Sequence, residues 1–148
     1  PPGIKVTATD FSEAMLAKAK QAAKHYDIHS VFICSDIEEM SFPDQSFDTI
    51  VSTLSFCSYN HPLMVLEKIR RWCKPDGHIL FLEHGVSSNP ALSTVQKIFN
   101  PLLYRVYGCH HTRNIVGLVQ ESGLIIHKVE SYWMGMVHLI WAKSKLLD

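Results

Sequence analysis

The chain has 148 residues, of which 47% are hydrophobic and 19% charged, and its 14 basic side chains balance 14 acidic ones. This length allows one domain with a substantial core. The zero formal charge argues against a general nucleic-acid-binding protein, which usually presents a basic face, and no apolar run approaches the roughly 18 residues that suggest a membrane span. We therefore expect a single globular domain over residues 1–148.

The first strand predicted from the sequence ends in an acid. Residues 5–10 form a strand-like segment that stops at Asp10, and segments 31–37 and 46–53 also carry short polar residues near their ends. Parallel strands of this kind form a ligand crevice at their carboxyl ends. A carboxylate at the tip of such a strand suits a ribose diol, because it can accept hydrogen bonds from both hydroxyl groups.

Strand-like and helix-like segments alternate through the first half of the chain, which predicts a parallel α/β structure. Asp10 and Ser12 can both cap the first helix. A second strand is predicted over residues 30–35. Residues at helical spacing predict the apolar face of the first helix: Met15, Ala19, Ala22, Ala23 and Tyr26.

The middle of the chain predicts two further strands around a helix. Residues 47–53 are nearly all apolar or β-branched, as expected of a strand buried on both faces, and residues 78–83 repeat that pattern after a turn at residues 74–77. His61-Pro62 begins the intervening helix. The buried stripe expected on that helix consists of Leu66, Ile69 and Cys73.

The pattern changes after residue 84. Asn89-Pro90 begins a helix that Pro101 should kink or divide, and Thr112 is expected to cap a short helix that stops at Gly123. Strands over about 124–131 and 135–143 then predict a closing hairpin. The apolar face expected on the long helix consists of Leu92, Val95, Phe99 and Leu102.

The four cysteines are widely spaced, and the sequence contains no CxxC pair. We therefore expect reduced thiols at Cys34, Cys57, Cys73 and Cys109, in a protein that is cytoplasmic or peripheral to the cytosolic side of a membrane. Adjacent ligands such as Cys109-His110-His111 seldom converge on one ion, so the sequence predicts no metal site.

Five motifs occur in the order and spacing of one known family. They are Asp10-Phe11-Ser12, Ser35-Asp36, Phe42-Pro43-Asp44, Ser46-Phe47-Asp48 and Lys74-Pro75-Asp76-Gly77. Together with the terminal hairpin, they resemble class I S-adenosylmethionine-dependent methyltransferases over nearly the whole chain. The chain looks closest to the methyltransferase type 11 group, which includes thiol methyltransferases and ubiquinone/menaquinone-biosynthesis enzymes. Segments 52–58, 82–84 and 108–113 resemble the thiol methyltransferase branch in particular.

The resemblance implies an α/β, Rossmann-like methyltransferase sheet, mostly parallel with a C-terminal antiparallel hairpin. It also implies a first strand and a Gly-rich loop that these residues do not contain. In the family's strand order, that strand lies between the strands that end at Asp10 and Thr53. We expect a longer polypeptide or another chain to supply it.

The resemblance assigns the cofactor, S-adenosyl-L-methionine, to the predicted crevice. Asp10 would bind the ribose hydroxyls, Asp36 would accept the adenine amino hydrogen, and the Ile37 N–H would meet a ring nitrogen. Backbone carbonyls near Thr53 and Leu54 would hold the amino end of the cofactor. Phe11, Ser12 and Met15 complete the predicted cofactor site, although helix capping by Asp10 and Ser12, loop capping by Asp36 and core packing by Phe11 and Met15 are structural alternatives.

Among the nine histidines, His84 is the candidate catalytic base, because it follows a buried strand and should face the crevice. A neutral imidazole there could take a proton from a thiol or hydroxyl acceptor.

The resemblance implies methyl transfer to a small, apolar acceptor: a thiol, a quinone precursor or a lipid. Residues 92–107 would cover the acceptor. We expect no nucleic-acid partner, and membrane contact only through segments outside this sequence. A non-catalytic fragment or interaction module is the alternative, whereas a dehydrogenase fits poorly because a terminal hairpin is not expected there.

Overall fold

The structure is a computed structural model that describes residues 3–144, which divide into two compact units, one ending at Ser41 and the other beginning at Phe42. The first two and last four residues of the predicted domain lie outside the described residues. That residues 1–148 form a single domain stays a prediction. The described elements, in chain order, are β1 (Lys5–Asp10), α1 (Glu13–His25), β2 (His29–Cys34), β3 (Phe47–Thr53), α2 (Pro62–Trp72), β4 (Cys73–His84), α3 (Pro90–Tyr107), α4 (Ile115–Glu121), β5 (Ile125–Tyr132) and β6 (Val137–Lys143).

The first unit consists of the parallel pair β1–β2 and helix α1. Ser12 caps α1, since its hydroxyl accepts a hydrogen bond from the Met15 N–H. The predicted apolar face of this helix was partly wrong: Met15, Ala22 and Tyr26 are exposed. The less exposed face of the helix instead consists of the positions i, i+3 and i+7 counted from Leu16, which is the buried residue of α1.

The second unit contains a four-stranded sheet in the order β3-β4-β6-β5. β3 and β4 are parallel, whereas β6 is antiparallel to both β4 and β5. The predicted α/β fold and its closing hairpin are thus confirmed. The core lies between this sheet and helices α2 and α4, and its fully buried side chains include Val65, Leu66, Phe81, Val119 and Ile140.

The prediction that β3 is buried on both faces was wrong. Thr49, Val51 and Thr53 are exposed, while Ile50 and Ser52 between them are half-buried. β3 pairs with β4 alone, and β1 pairs with β2 alone, so each has one edge without a strand partner within the described residues. An edge of this kind leaves a row of backbone N–H and C=O groups available for pairing.

Residues 74–77, which the sequence predicted to be a turn, lie within β4 as a bulge. Pairing with β3 stops at Cys73 and resumes at His78. A Cβ atom on Gly77 would lie 2.7 Å from Cys73 Sγ and 2.8 Å from the Asp48 carbonyl oxygen. The close approach of the two strands at this bulge therefore requires glycine.

Helix α3 is continuous through Pro101, so the predicted division does not occur. Its predicted apolar face is largely exposed, with Val95, Phe99 and Leu102 each about half accessible or more, while the polar Gln96 and Asn100 are half-buried. Both amides face inward because their hydrogen-bond partners lie on that side of the helix. Within residues 3–144, no helix is both long and apolar enough to cross a bilayer.

The short helix α4 begins two residues later than predicted. Its N-cap is Asn114, whose side-chain oxygen accepts a hydrogen bond of 3.0 Å from the Gly117 N–H. Thr112 was therefore the wrong cap residue.

Candidate functional site

In the first unit, Asp10 and Asp36 lie at the same end of the two-stranded sheet. Asp10 is the last residue of β1 and lies opposite Cys34, the last residue of β2. The Ser35 N–H donates to the Asp10 carbonyl oxygen at 3.2 Å, which extends the pairing to the residue before Asp36. The parallel register thus brings both acids to the carboxyl end of the sheet, as predicted.

Each of these carboxylates uses one oxygen to shape its own loop. Asp10 Oδ1 accepts a 2.8 Å hydrogen bond from the Ser12 N–H, and Asp36 Oδ1 accepts one of 2.8 Å from the Glu38 N–H. The loop-capping alternative for Asp36 is therefore a real contact, whereas Asp10 binds the N–H of Ser12, the residue that caps α1, and is not itself the cap. Such Asx turns fix both side chains. Because the contacts engage only Oδ1, they leave Oδ2 of each carboxylate available to a ligand.

The other candidates in this unit surround these acids in sequence. Phe11 and Met15 are 72% and 52% exposed, so neither packs in a core of the described residues. Ile37 is half-buried in the loop after β2. The cofactor roles of Phe11, Ser12, Met15 and Ile37 stay predictions.

In the second unit, Thr53 and Leu54 lie at the carboxyl end of β3, with exposed side chains. Leu54 has a φ of +52°, an unfavourable backbone conformation for a branched side chain. Its N–H donates to the Leu82 carbonyl oxygen at 2.8 Å. The backbone therefore turns sharply at the position where the resemblance places the amino end of the cofactor.

Glu83, for which the sequence predicted no role, holds this turn. Its fully buried carboxylate accepts hydrogen bonds from Ser52 Oγ at 2.8 Å and from the Ser55 and Phe56 N–H groups at 3.2 Å each. Burial raises the pKa of Glu83, and the three hydrogen bonds oppose that rise. A charged residue inside the otherwise apolar strand 79–83 was the available sequence signal.

His84, the next residue, belongs to a different cluster. Its Nε2 lies 3.1 Å from Cys109 Sγ, and its ring stacks on that of His111 with 4.9 Å between centroids. Burial lowers the pKa of His84, and His111 lowers it further. Both effects favour the neutral imidazole, although its Nε2 faces a sulfur atom; the catalytic role stays a prediction.

Cys57 and Cys109 form a disulfide, which corrects the expectation of four reduced thiols. They are 52 residues apart in sequence, so spacing could not reveal the pair. The fold joins their segments, because the His110 N–H donates to the Cys57 carbonyl oxygen at 2.9 Å. Cys34 and Cys73 are free thiols.

Two amides of α3 hold the segments around this cluster. Gln96 Oε1 accepts from the Ser87 N–H at 2.7 Å, and its Nε2 donates to the Gly85 carbonyl oxygen at 3.2 Å. Asn100 Oδ1 accepts from the His111 N–H at 2.9 Å. The end of β4 and the loop after α3 are thereby fixed to one helix.

Solved structures share the fold of this chain. A SAM-dependent methyltransferase from Methanosarcina mazei matches 99% of this chain and 84% of its own with a TM-score of 0.74 at 19% identity. An S-adenosylmethionine-dependent methyltransferase from Mesorhizobium loti matches 94% of this chain and 80% of its own, with a TM-score of 0.69 at 18% identity. The Rossmann-like methyltransferase fold predicted from the sequence is confirmed.

Sequence comparison shows the family. A model described as a methyltransferase domain matches residues 2–81, more than half of the chain, and the chain belongs to that family. The thiol S-methyltransferase TMT1B of Rattus norvegicus is 30% identical over 118 residues, covering 76% of this chain and 48% of the relative. The demethylmenaquinone methyltransferase of Staphylococcus haemolyticus is 36% identical over 107 residues, covering 70% of this chain and 43% of the relative. The chain thus spans about half the length of the curated relatives it matches.

Proposed function

We propose that the complete protein transfers a methyl group from S-adenosyl-L-methionine to a small apolar acceptor, and that the acceptor is a thiol. The observation that carries the proposal is the parallel register of β1 and β2, which brings Asp10 and Asp36 to one end of a sheet. Membership of the methyltransferase domain family supports the reaction type.

The residues of the first unit fit a nucleoside. Asp10 is half-buried at a strand tip and has Oδ2 available, which suits a hydrogen bond from a ribose hydroxyl. Asp36 offers the same chemistry to an exocyclic amino group. When bound, S-adenosylmethionine supplies an already activated methyl group, so the protein contributes mainly position and orientation.

A thiol acceptor is favoured by the rat relative, whose name describes a thiol S-methyltransferase. A thiol also needs the least help from the protein, since thiolates are strong nucleophiles and are partly populated at neutral pH. The demethylmenaquinone methyltransferase and a phosphatidylethanolamine N-methyltransferase among the relatives make a quinone precursor and a lipid the competing acceptors. Incubation of the complete protein with labelled donor and each acceptor class separates them, and labelling of only the quinone or the lipid would contradict a thiol.

The non-catalytic alternative, an interaction module, rests on a different observation. β1 and β3 each have only one strand partner within the described residues, and such edges can pair with a strand from another chain. A complete protein that binds no S-adenosylhomocysteine would favour this alternative.

The decisive experiment is calorimetric titration of S-adenosylhomocysteine into the complete protein and its Asp10→Asn variant. Asparagine keeps an oxygen for the Ser12 N–H but removes the charge, so we expect binding weaker by about 10-fold or more. Asp27→Asn, in a left-handed turn that asparagine tolerates, is the matched control and should leave binding unchanged. Wild-type affinity in Asp10→Asn would contradict the ribose assignment.

A further inference from the structure

Three metal-ligating atoms come together in the second unit, and none of them belongs to a residue predicted to bind the nucleoside. Cys57 Sγ, Cys109 Sγ and a ring nitrogen of His84 all lie within 4.8 Å of one another. Cys57 is buried and the other two residues are half-buried. The adjacent residues 109–111 gave no metal site by spacing, whereas the fold brings together one ligand each from the segment after β3, the end of β4 and the loop after α3.

We propose that the reduced chain binds a zinc-class divalent ion through Cys57, His84 and Cys109. Two thiolates and one imidazole are a ligand set typical of tetrahedral zinc. Sulfur and nitrogen ligands at about 2.3 and 2.0 Å from a tetrahedral ion lie roughly 3.5–4 Å from one another, and reduction of the Cys57–Cys109 bond frees the two sulfur atoms to separate to that spacing. The assignment uses His84 as a ligand in place of the base role predicted from the sequence, and it does not depend on the proposed methyl transfer.

The backbone around the three ligands is already fixed. Glu83 accepts hydrogen bonds from the N–H groups of Ser55 and Phe56, immediately before Cys57. Asn100 holds the loop that carries Cys109 through the His111 N–H. Ligands held in this way lose little conformational entropy when they bind an ion, and a bound ion would join three segments of the second unit.

The disulfide and the metal site use the same sulfur atoms, so they exclude each other. Reduction of the Cys57–Cys109 bond takes two electrons and two protons and yields two thiols; the ion then binds the thiolates and releases both protons. Three protein ligands leave a fourth position for water or another small ligand. The ring of His111 stacks on that of His84, and its buried Nε2 has no hydrogen-bond partner among the described residues.

Cobalt(II) provides the test, because tetrahedral cobalt–thiolate sites show intense visible bands and a near-ultraviolet charge-transfer band. The complete protein is reduced with a phosphine, which becomes the phosphine oxide, and is then titrated with cobalt without oxygen. We expect one ion per chain, displaced by zinc, and no such spectrum from the disulfide form. A reduced wild-type chain that shows no thiolate–cobalt band would overturn the proposal.

Variants identify the ligands. Cys109→Ser and His84→Gln should each weaken zinc binding by at least about 10-fold, measured in competition with a chromophoric chelator. The controls Cys34→Ser and His127→Gln, both at exposed positions, should bind zinc as the wild type does. Circular dichroism checks that each variant is folded. Unchanged zinc affinity in either folded ligand variant would contradict the assignment, and the wild-type cobalt spectrum decides the case if a variant does not fold.

Discussion

At the scale of single residues, Glu83 shows how one buried carboxylate can organise a turn. Its donors, at positions 52, 55 and 56, are 27 to 31 residues earlier in the chain. Removal of this fully buried carboxylate would leave two backbone N–H groups and one hydroxyl without their acceptor. Such losses cost more than the net value of the hydrogen bonds.

We therefore expect Glu83→Ala to lower the free energy of unfolding by about 3 kcal/mol, measured by urea denaturation. Glu67→Ala, at an exposed position on α2, is the control and should change the value by less than about 0.5 kcal/mol. Equal effects of the two substitutions would show that the Glu83 contacts do not stabilise the fold.

His138 on β6 gives a prediction about pH. Burial lowers the pKa of its imidazole, and a backbone hydrogen bond at Gly135 opposes the shift. The unfolded chain therefore binds the proton more readily, because its imidazole has the usual histidine pKa of about 6.5. The stability linked to His138 should be complete above that pH and should decline as the pH falls towards the folded-state pKa. NMR titration of His138 in folded and urea-unfolded protein checks the order of the two pKa values; a folded-state value at or above the unfolded one would contradict it.

At the scale of elements, α3 shows which features of a helix depend on adjacent residues and which depend on distant ones. Its start at Asn89-Pro90 was predicted correctly, because capping depends on adjacent residues. Its inward face was not, because Gln96 and Asn100 hydrogen-bond to the end of β4 and to the loop at His111. An apolar stripe at helical spacing indicates a helix, but distant polar partners decided which side of this one turns inward.

The effect of this orientation can be measured with two alanine variants. Asn100→Ala removes the acceptor of the His111 N–H and should cost about 1 kcal/mol of stability. Leu102→Ala, at a position of the predicted apolar face that is 59% exposed, should change stability by less than about 0.5 kcal/mol. Thermal unfolding of both variants decides between this orientation and the predicted one, which requires the larger loss at an apolar position of the stripe.

At the scale of the whole molecule, the sequence predicted the class of fold better than its interactions. The acid at the end of β1, the parallel pairs and the closing hairpin follow from strand patterns and short motifs. The Cys57–Cys109 pair does not, because contacts between segments far apart in sequence leave no local pattern. The exposure of one face of β3 was missed for the same reason, since it depends on what the rest of the sheet covers.

The proposed function depends most on Asp10 and Asp36 binding one nucleoside. A crystal structure of the complete protein with S-adenosylhomocysteine tests this directly. We expect both ribose hydroxyls within about 3 Å of the Asp10 carboxylate and the adenine amino group at a similar distance from Asp36. A nucleoside bound elsewhere, or one that touches neither carboxylate, would contradict the account.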